Sequence, residues 1–241
     1  MYKLILNSSP FTEDREFNPA NHYKETLLKH WSDDPNVLYI ASFPDAYEIT
    51  DEYYQAFLKG YRDAGFIFHA RLLDYRNLNE FDSLLREANI IYLPGGHTLT
   101  EMKFFNELKL KDKLKDFNGL IIGTSAGSMN MASTVYCPPE LEGEAKDPNF
   151  IKFFDGLGLT DINILPHHSI SKDAIVDGVN VYNEIVLKDS INHKFYSYSD
   201  GSYITVINGK VTLYGEAFLI NDGEMTKISN NNDILELSRH K

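Results

Sequence analysis

Residues 119–132 have the sequence GLIIGTSAGSMNMA, in which a serine stands between two closely spaced glycines. Its apolar residues 120–123 predict a buried strand, and the SMNMA segment that ends it is compatible with a helix. Between them, glycines two positions before and after Ser125 let the backbone turn where a Cβ would clash. The pattern predicts a nucleophile elbow, which exposes the Ser125 hydroxyl and points the next N–H toward an oxyanion. A glycine-flanked turn without chemistry is the alternative, and the strand-then-helix context favours the elbow.

Short apolar runs alternate with amphipathic stretches on the N-terminal side of this elbow. We predict strands at 3–6, 37–43, 66–73 and 90–93, and helices at 22–31, 49–64, 80–88 and 99–114. Strands alternating with helices of this length predict a parallel sheet with right-handed crossovers and helices on both faces. Ligands of such sheets bind at the carboxyl ends of the strands, where Ser125 is expected.

The chain after the elbow has a different pattern. Residues 134–150 are rich in proline and acidic residues and predict a long loop, for which a lid is one role. A short helix is predicted at 150–157, a strand at 162–165 and a helix at 174–187. From residue 195 onward the pattern predicts short strands, and Asn208-Gly209 is a strong hairpin signal.

Length and composition are those of a globular enzyme-sized chain. With 241 residues, 43% of them hydrophobic, the chain can bury a full core as one domain over 1–241, and two smaller domains are not required. Its net charge of −12 argues against nucleic acid and anionic membranes as partners, because both would repel this surface. A small peptide or other small molecule is the expected partner.

The single cysteine, Cys137, excludes an internal disulfide and any multi-cysteine metal site. It fits a reducing compartment, and its CPP context favours a structural thiol over a nucleophile. The N-terminus has no cationic leader followed by a cleavage site, and no segment reaches the length of a membrane span. We therefore expect a cytoplasmic protein.

A second glycine-rich turn, PGGH, follows the predicted strand at 90–93. The N–H groups of Gly95 and Gly96 could complete an oxyanion site with the amide of Ala126. An ordinary turn before a helix capped by Thr98 or Thr100 is the alternative. The neighbouring elbow favours the oxyanion site.

A serine hydroxyl needs a base to remove its proton, and that base is usually a histidine oriented by a carboxylate. His167 is the predicted base, because it follows the strand at 162–165 and can reach the strand-end edge that carries Ser125. His168 is its neighbour and a candidate to line the site. The other six histidines are more simply surface, loop or packing residues: His22, His30, His69, His97, His193 and His240.

Two acids compete to orient the imidazole. Glu140 lies in the long loop, where it could equally be one of several solvated acids with Glu142 and Glu144. Asp200 ends a predicted strand just before Gly201, where it could be a turn-former. The residues alone leave both open.

Three motifs, YLPGGHT, GTSAGS and ILPHH, stand in an order and at separations that resemble the peptidase E family of serine peptidases. That family includes aspartyl dipeptidases and cyanophycinases. The resemblance implies a glutamine-amidotransferase-like three-layer α/β/α sandwich with a mostly parallel sheet, to which this chain adds C-terminal β-hairpins. It implies Ser125 as nucleophile, His167 as base and the Gly95-Gly96 turn as oxyanion site, with no metal and no cofactor.

The same resemblance places the dipeptidase acid near Glu140 and the cyanophycinase acid near Asp200. His97 stands where the dipeptidase often has asparagine. Family dipeptidases select an N-terminal aspartate, and Lys172 is the only cation directly after His168 that could pair with such a substrate. The expected activity is hydrolysis of short peptides, including dipeptides with an N-terminal aspartate.

Two rival functions share parts of this pattern. An α/β-hydrolase esterase has the same elbow, but its histidine comes late in the chain, where only His240 is available. A binding protein that kept the fold and lost the reaction is the other rival. The β-rich C-terminal part is a candidate surface for a homodimer.

Overall fold

A computed structural model describes residues 2–237, which contain both strands and helices. The sixteen strands within these residues are β1 Lys3–Asn7, β2 Asn36–Ile40, β3 His69–Leu73, β4 Ile90–Leu93, β5 Leu120–Thr124, β6 Thr134–Tyr136, β7 Phe153–Asp155, β8 Asn163–Leu165, β9 Ile175–Val176, β10 Val179–Asn180, β11 Lys194–Tyr198, β12 Tyr203–Ile207, β13 Lys210–Tyr214, β14 Ala217–Asn221, β15 Glu224–Ser229 and β16 Ile234–Leu237.

The α-helices are mostly short. They are α1 Tyr23–Leu28, α2 Tyr47–Asp63, α3 Phe81–Glu87, α4 Thr98–Glu107, α5 Leu110–Lys113, α6 Ala126–Met129, α7 His168–Ser171 and α8 Leu187–Asp189. Three 3₁₀ turns span Ala20–His22, Leu78–Glu80 and Leu114–Asp116, and a π-helical segment spans Val181–Val186. None of the helices in residues 2–237 combines the length and hydropathy of a membrane-spanning segment.

The central sheet has eight strands in the order β16-β13-β12-β1-β5-β4-β2-β3. From β1 to β3 all neighbours are parallel, whereas β12, β13 and β16 extend the sheet in antiparallel pairing. This confirms the predicted α/β class with a large, mostly parallel sheet. The predicted hairpin at Asn208-Gly209 is also confirmed, because Ile207 pairs with Lys210 across it.

Alternate residues of the parallel strands are buried on opposite faces of the sheet. Leu4 and Leu6 of β1 join a hydrophobic cluster with Phe104 of α4, whereas Ile5 between them joins a cluster with Phe57 of α2. A period of two along a strand sends neighbouring side chains to opposite faces. Helices therefore cover both faces, and the sheet is the middle layer of three.

A second, four-stranded sheet has the order β15-β14-β11-β8. Ile164 of β8 and Tyr198 of β11 pack into the same cluster as Leu4, so one face of this sheet lies on the main core. β8 and β11 run parallel, with Leu165 opposite Ser197. Their carboxyl ends therefore point the same way, and the residues that follow them leave the sheet side by side.

Several predicted elements have different structures. The helix predicted at 150–157 is wrong, since the short strand β7 occupies that stretch, and the loop predicted at 134–150 begins with β6. The helix predicted at 174–187 is wrong for its first half, where β9 and β10 form a hairpin. Asp177 and Gly178 turn that hairpin with positive φ angles of 55° and 83°, which an α-helix cannot accommodate.

The remaining boundaries shift by a few residues, and the helix predicted at 99–114 is interrupted at Lys109, whose φ is 53°. The polar tail contains the edge strand β16, which the sequence did not indicate. His240 lies outside the described residues. The assignment of the whole chain to one domain stays a prediction.

A buried carboxyl group joins α4 to α6, the helix that follows the elbow. Glu101 is fully buried, and its Oε2 accepts a 2.8 Å hydrogen bond from Asn130 Nδ2. Its Oε1 has no hydrogen-bond partner in the described chain. Burial therefore raises the pKa of Glu101 well above its usual value, and the hydrogen bond from Asn130 offsets only part of this.

We expect the Glu101→Gln variant to gain stability over the wild type as the pH rises from 5 to 8. Above the unfolded-state pKa of Glu101 the unfolded chain loses the proton that the folded chain keeps. Folded-state stability therefore falls with rising pH, by at most about 1.4 kcal/mol per pH unit. Urea midpoints at pH 5 and pH 8 measure this difference. The exposed Glu107→Gln on the same helix is the control, and equal shifts in both variants would contradict the assignment.

Candidate active site

Ser125 lies at the sharp turn between β5 and α6 that the sequence predicted. Its φ of 50° and ψ of −115° fall outside the common regions for a residue with a side chain. The turn is fixed from β1, because the N–H of Ser125 donates to the carbonyl oxygens of Asn7 at 3.0 Å and Ser8 at 3.1 Å. A strained backbone held by surrounding hydrogen bonds is typical of a functional residue.

The two glycines around Ser125 are required by close packing. A Cβ on Gly123 would lie 2.7 Å from the backbone of Ser128, and a Cβ on Gly127 would lie 2.2 Å from the carbonyl oxygen of Leu93. Both contacts are with backbone atoms, which cannot rotate away as a flexible side chain can. The G-x-S-x-G spacing is therefore a steric requirement of this turn.

His167 is the residue that meets the Ser125 hydroxyl. It comes two residues after β8, with a φ of 58°, and its Nε2 lies 2.9 Å from Ser125 Oγ. Its backbone N–H donates to Ser8 Oγ at 2.7 Å. The structure thus brings together two residues 42 positions apart, at the carboxyl ends of strands from two different sheets.

Asp200 holds the other side of the imidazole. His167 Nδ1 lies 2.7 Å from Asp200 Oδ1, and Ser8 Oγ donates to the same oxygen at 2.6 Å. Burial alone raises the pKa of the Asp200 carboxyl, but the hydrogen bonds from His167 and Ser8, together with the His167 charge, outweigh it and lower that pKa. An ionised carboxylate only accepts hydrogen bonds, so Nδ1 carries the proton and Nε2 can accept from Ser125.

Glu140, the competing acid, makes a different set of contacts. Its Oε1 accepts a long 3.4 Å hydrogen bond from Thr98 Oγ1, and no hydrogen bond joins it to His167 in the described chain. Although the residue as a whole is exposed, desolvation of its carboxyl group, and then the charge of Glu144, raise its pKa to about 7. Glu144 in turn accepts from the N–H groups of Glu140 and Leu141. Of the two candidate acids, only Asp200 is bonded to the imidazole.

The predicted oxyanion amides lie beside the serine. A Cβ on Gly95 would lie 3.2 Å from Ser125 Cβ, which places the Gly95-Gly96 turn against the elbow. Within residues 2–237 the backbone N–H groups of Gly95, Gly96 and Ala126 have no protein acceptor. Unpaired N–H groups near a reactive hydroxyl are the donors that an oxyanion site needs.

The site opens into a cavity of 1040 Å³ that Ser125 and His167 line. Glu140, His97 and the Gly95-Gly96 turn line it as well. Two predicted substrate-binding residues, His168 and Lys172, are not among the lining residues. His168 is buried, stacks on Phe218 and bonds to Ser197, and Lys172 is exposed outside the cavity.

Sequence reasoning missed several residues of this site. Ser8 is fully buried and bonds to both Asp200 and His167, yet its only sequence signal is its position after the first strand. Phe43, Tyr53 and Arg15 line the cavity from segments far from the elbow in sequence. No motif marks these three, because their role depends on which segments fold over the strand ends.

Comparison with known proteins gives a family match and a fold match. The model of peptidase family S51 matches residues 4–214. Among solved structures, a peptidase from an acI-B1 actinobacterium is similar at 15% identity and a TM-score of 0.67, with 98% of this chain and 97% of that chain covered. A protein from Listeria monocytogenes EGD-e, provisionally assigned to peptidase E, is similar at 20% identity and a TM-score of 0.61, with 95% of this chain and all of that chain covered. No functionally curated protein matches the chain.

We expect Gly127→Ala to destabilise the fold by about 3 kcal/mol or more, because its methyl group must displace the Leu93 carbonyl. Urea unfolding followed by circular dichroism measures the loss. Gly143→Ala is the control, since nothing lies within 4 Å of its Cβ and only the positive φ of 96° is strained, at about 1 to 2 kcal/mol. A Gly127→Ala variant as stable as the wild type would show that the turn does not need glycine.

Proposed function

The chain belongs to peptidase family S51, a family of serine peptidases, and we propose that it hydrolyses short peptides. In this proposal Ser125 is the nucleophile, His167 is the base and Asp200 is the acid that orients the imidazole. The observation that carries the proposal is the continuous hydrogen-bonded path from Ser125 Oγ through His167 to Asp200, with distances of 2.9 and 2.7 Å. This is the geometry of a nucleophile, its base and the group that orients the base.

In the first half of the reaction, Ser125 Oγ attacks the carbonyl carbon of the scissile peptide bond. His167 Nε2 takes the hydroxyl proton as the new C–O bond forms. The imidazolium that results is stabilised by the ionised Asp200 at Nδ1. The low pKa of Asp200 supports this role, since the acid must stay ionised while the imidazole is charged.

Negative charge develops on the carbonyl oxygen in the tetrahedral intermediate. The proposed donors to this oxygen are the unpaired N–H groups of Gly96 and Ala126, with Gly95 beside them. His167 then gives its proton to the leaving amine, and the acyl-enzyme forms. Water, activated by the same imidazole, releases the acyl product and restores the Ser125 hydroxyl.

The wall of the cavity supports a preference for short substrates. Residues 138–141 line the cavity, and the loop that contains them is tied to the β9–β10 hairpin. The Asp177 carboxylate accepts from the N–H of Gly143 at 2.8 Å and of Ala145 at 3.0 Å. These bonds hold the loop and the hairpin together beside the cavity, and a bounded cavity of this kind favours a short substrate.

The family resemblance also implied selection of an N-terminal aspartate, and the residues that line the cavity give this specificity little support. Lys172 does not line the cavity, and Arg15, which does, is paired with Glu52. We keep aspartyl dipeptides as one class of the substrate panel rather than as the proposed preference. The cytoplasm as site of action and a homodimer through the C-terminal strands remain expectations from the sequence.

We expect Ser125→Ala to abolish both peptide hydrolysis and labelling by a serine-directed fluorophosphonate. Loss of a triad nucleophile lowers kcat by a factor of about 10⁶ in comparable sites. Hydrolysis of a dipeptide panel, and mass spectrometry of the labelled protein, measure the two effects. Ser128→Ala, three residues away, is the control for labelling. Unchanged turnover in Ser125→Ala would exclude the mechanism, and an unlabelled wild type would favour the rival binding protein.

We expect Asp200→Asn to lower kcat by a factor of about 10³ to 10⁴, because an asparagine cannot hold the imidazole in the productive tautomer. Glu140→Gln is the matched comparison, since it makes the same change in the acid that does not bond to His167. We expect its kcat to fall far less. Steady-state kinetics of both variants on one dipeptide decide between the two acids, and a larger loss in Glu140→Gln would overturn the assignment of Asp200.

A further inference from the structure

One wall of the cavity is formed by aromatic rings that are partly open to water. We define this aromatic shelf as Phe11, Phe43 and Tyr53, which line the cavity from the segment after β1, the β2–α2 connection and α2. Tyr53 is 39% exposed, and Phe11 and Phe43 are half-buried. The rings of Phe43 and Tyr53 meet edge to face at 6.1 Å. Apolar surface left open beside a reactive serine is typical of a ligand subsite.

The order of strands locates the shelf relative to the reacting groups. Along the central sheet, β12 and β1 lie on one side of β5, and β4 and β2 lie on the other. His167 is held by Ser8 after β1 and Asp200 before β12, whereas Phe43 follows β2. The Phe43 ring also lies against the oxyanion turn, since a Cβ on Gly96 would be 3.0 Å from it. Phe43, and Tyr53 in contact with it, are therefore on the opposite side of Ser125 from His167.

This placement separates the two halves of a bound peptide. The leaving amine must face His167, because that imidazole gives it a proton. The carbonyl oxygen must face the amides of Gly96 and Ala126. The remaining substituent of the carbonyl carbon is the acyl residue, which then extends away from His167 and toward the shelf.

Charge in the cavity disfavours an acidic acyl residue. Arg15 is the only lysine or arginine among the described residues that line the cavity, and its guanidinium is paired with Glu52. Glu140, an acidic residue, lines the cavity as well. A substrate carboxylate that entered the cavity would lose its hydration and find no unpaired cation, which costs binding free energy. An apolar side chain gains binding free energy when it is removed from water.

We propose that the preferred substrate carries an aromatic or large aliphatic acyl residue, selected by contact with Tyr53 and Phe43. The inference rests on the proposed function, because it assigns a substrate class to the same serine. It departs from the aspartyl preference that the family resemblance implied.

The first experiment measures kcat/KM for dipeptides X-Leu in which X is Phe, Leu, Ala or Asp. We expect wild type to prefer Phe and Leu over Ala and Asp by at least about 10-fold. Tyr53→Ala should lower kcat/KM for Phe-Leu about 10-fold and for Ala-Leu less than about twofold, while Tyr53→Phe should keep the preference. Tyr47→Ala removes a similarly exposed ring of the same helix outside the cavity, and it should change kcat/KM for neither substrate.

The second experiment separates failure of this inference from failure of the proposed function. Diphenyl esters of α-aminoalkylphosphonates carry the acyl side chain next to phosphorus, and a serine oxygen attacks phosphorus with loss of phenol. We expect the phenylalanine analogue to label Ser125 at least about 10-fold faster than the aspartate analogue. Equal rates, or faster labelling by the aspartate analogue, would overturn the substrate class alone. No labelling of Ser125 by either analogue would overturn the proposed function and the inference together.

Discussion

The site depends on the hydrogen bonds of one buried hydroxyl, that of Ser8. It donates to Asp200 Oδ1 at 2.6 Å and accepts the His167 N–H at 2.7 Å. Ser8 directly follows a strand of the central sheet, whereas His167 and Asp200 follow two parallel strands of the second sheet. The hydroxyl therefore joins the two sheets at the point where the imidazole must be held. Loss of a buried hydrogen bond costs more free energy than loss of one at the surface, because no water takes its place.

Two of the residues that this joint holds have a strained backbone. Ser125 and His167 both have positive φ, at 50° and 58°, although neither is glycine. Each such conformation costs on the order of 1 to 3 kcal/mol and persists only where the surroundings determine it. At Ser125 the carbonyls of Asn7 and Ser8 do so, and at His167 the Ser8 hydroxyl does. The end of one central strand thus fixes both residues of the proposed proton-transfer pair.

The cavity combines the polar side chains of Ser125 and His167 with aromatic surroundings. Phe11, Phe43 and Tyr53 line it together with the loop that carries Glu140. Burial raises the pKa of Glu140, whereas specific hydrogen bonds lower that of Asp200, so the two candidate acids have opposite environments. With these opposite pKa shifts, Asp200 stays ionised at neutral pH, whereas Glu140 can change its charge there.

Sequence patterns alone predicted the parallel α/β core, the elbow at Ser125 and His167 as its partner. Periodicity and glycine spacing are local signals, and the steric demands at Gly123 and Gly127 act within a few residues. That Asp200, and not Glu140, is hydrogen-bonded to His167 is visible only in the folded chain, because it depends on the parallel pairing of β8 with β11, which sequence periodicity does not encode. For the same reason the sequence did not reveal Ser8 or the aromatic shelf. Apolar spacing at 174–187 predicts one helix. Its first half is a hairpin instead, because Asp177 and Gly178 turn the chain there.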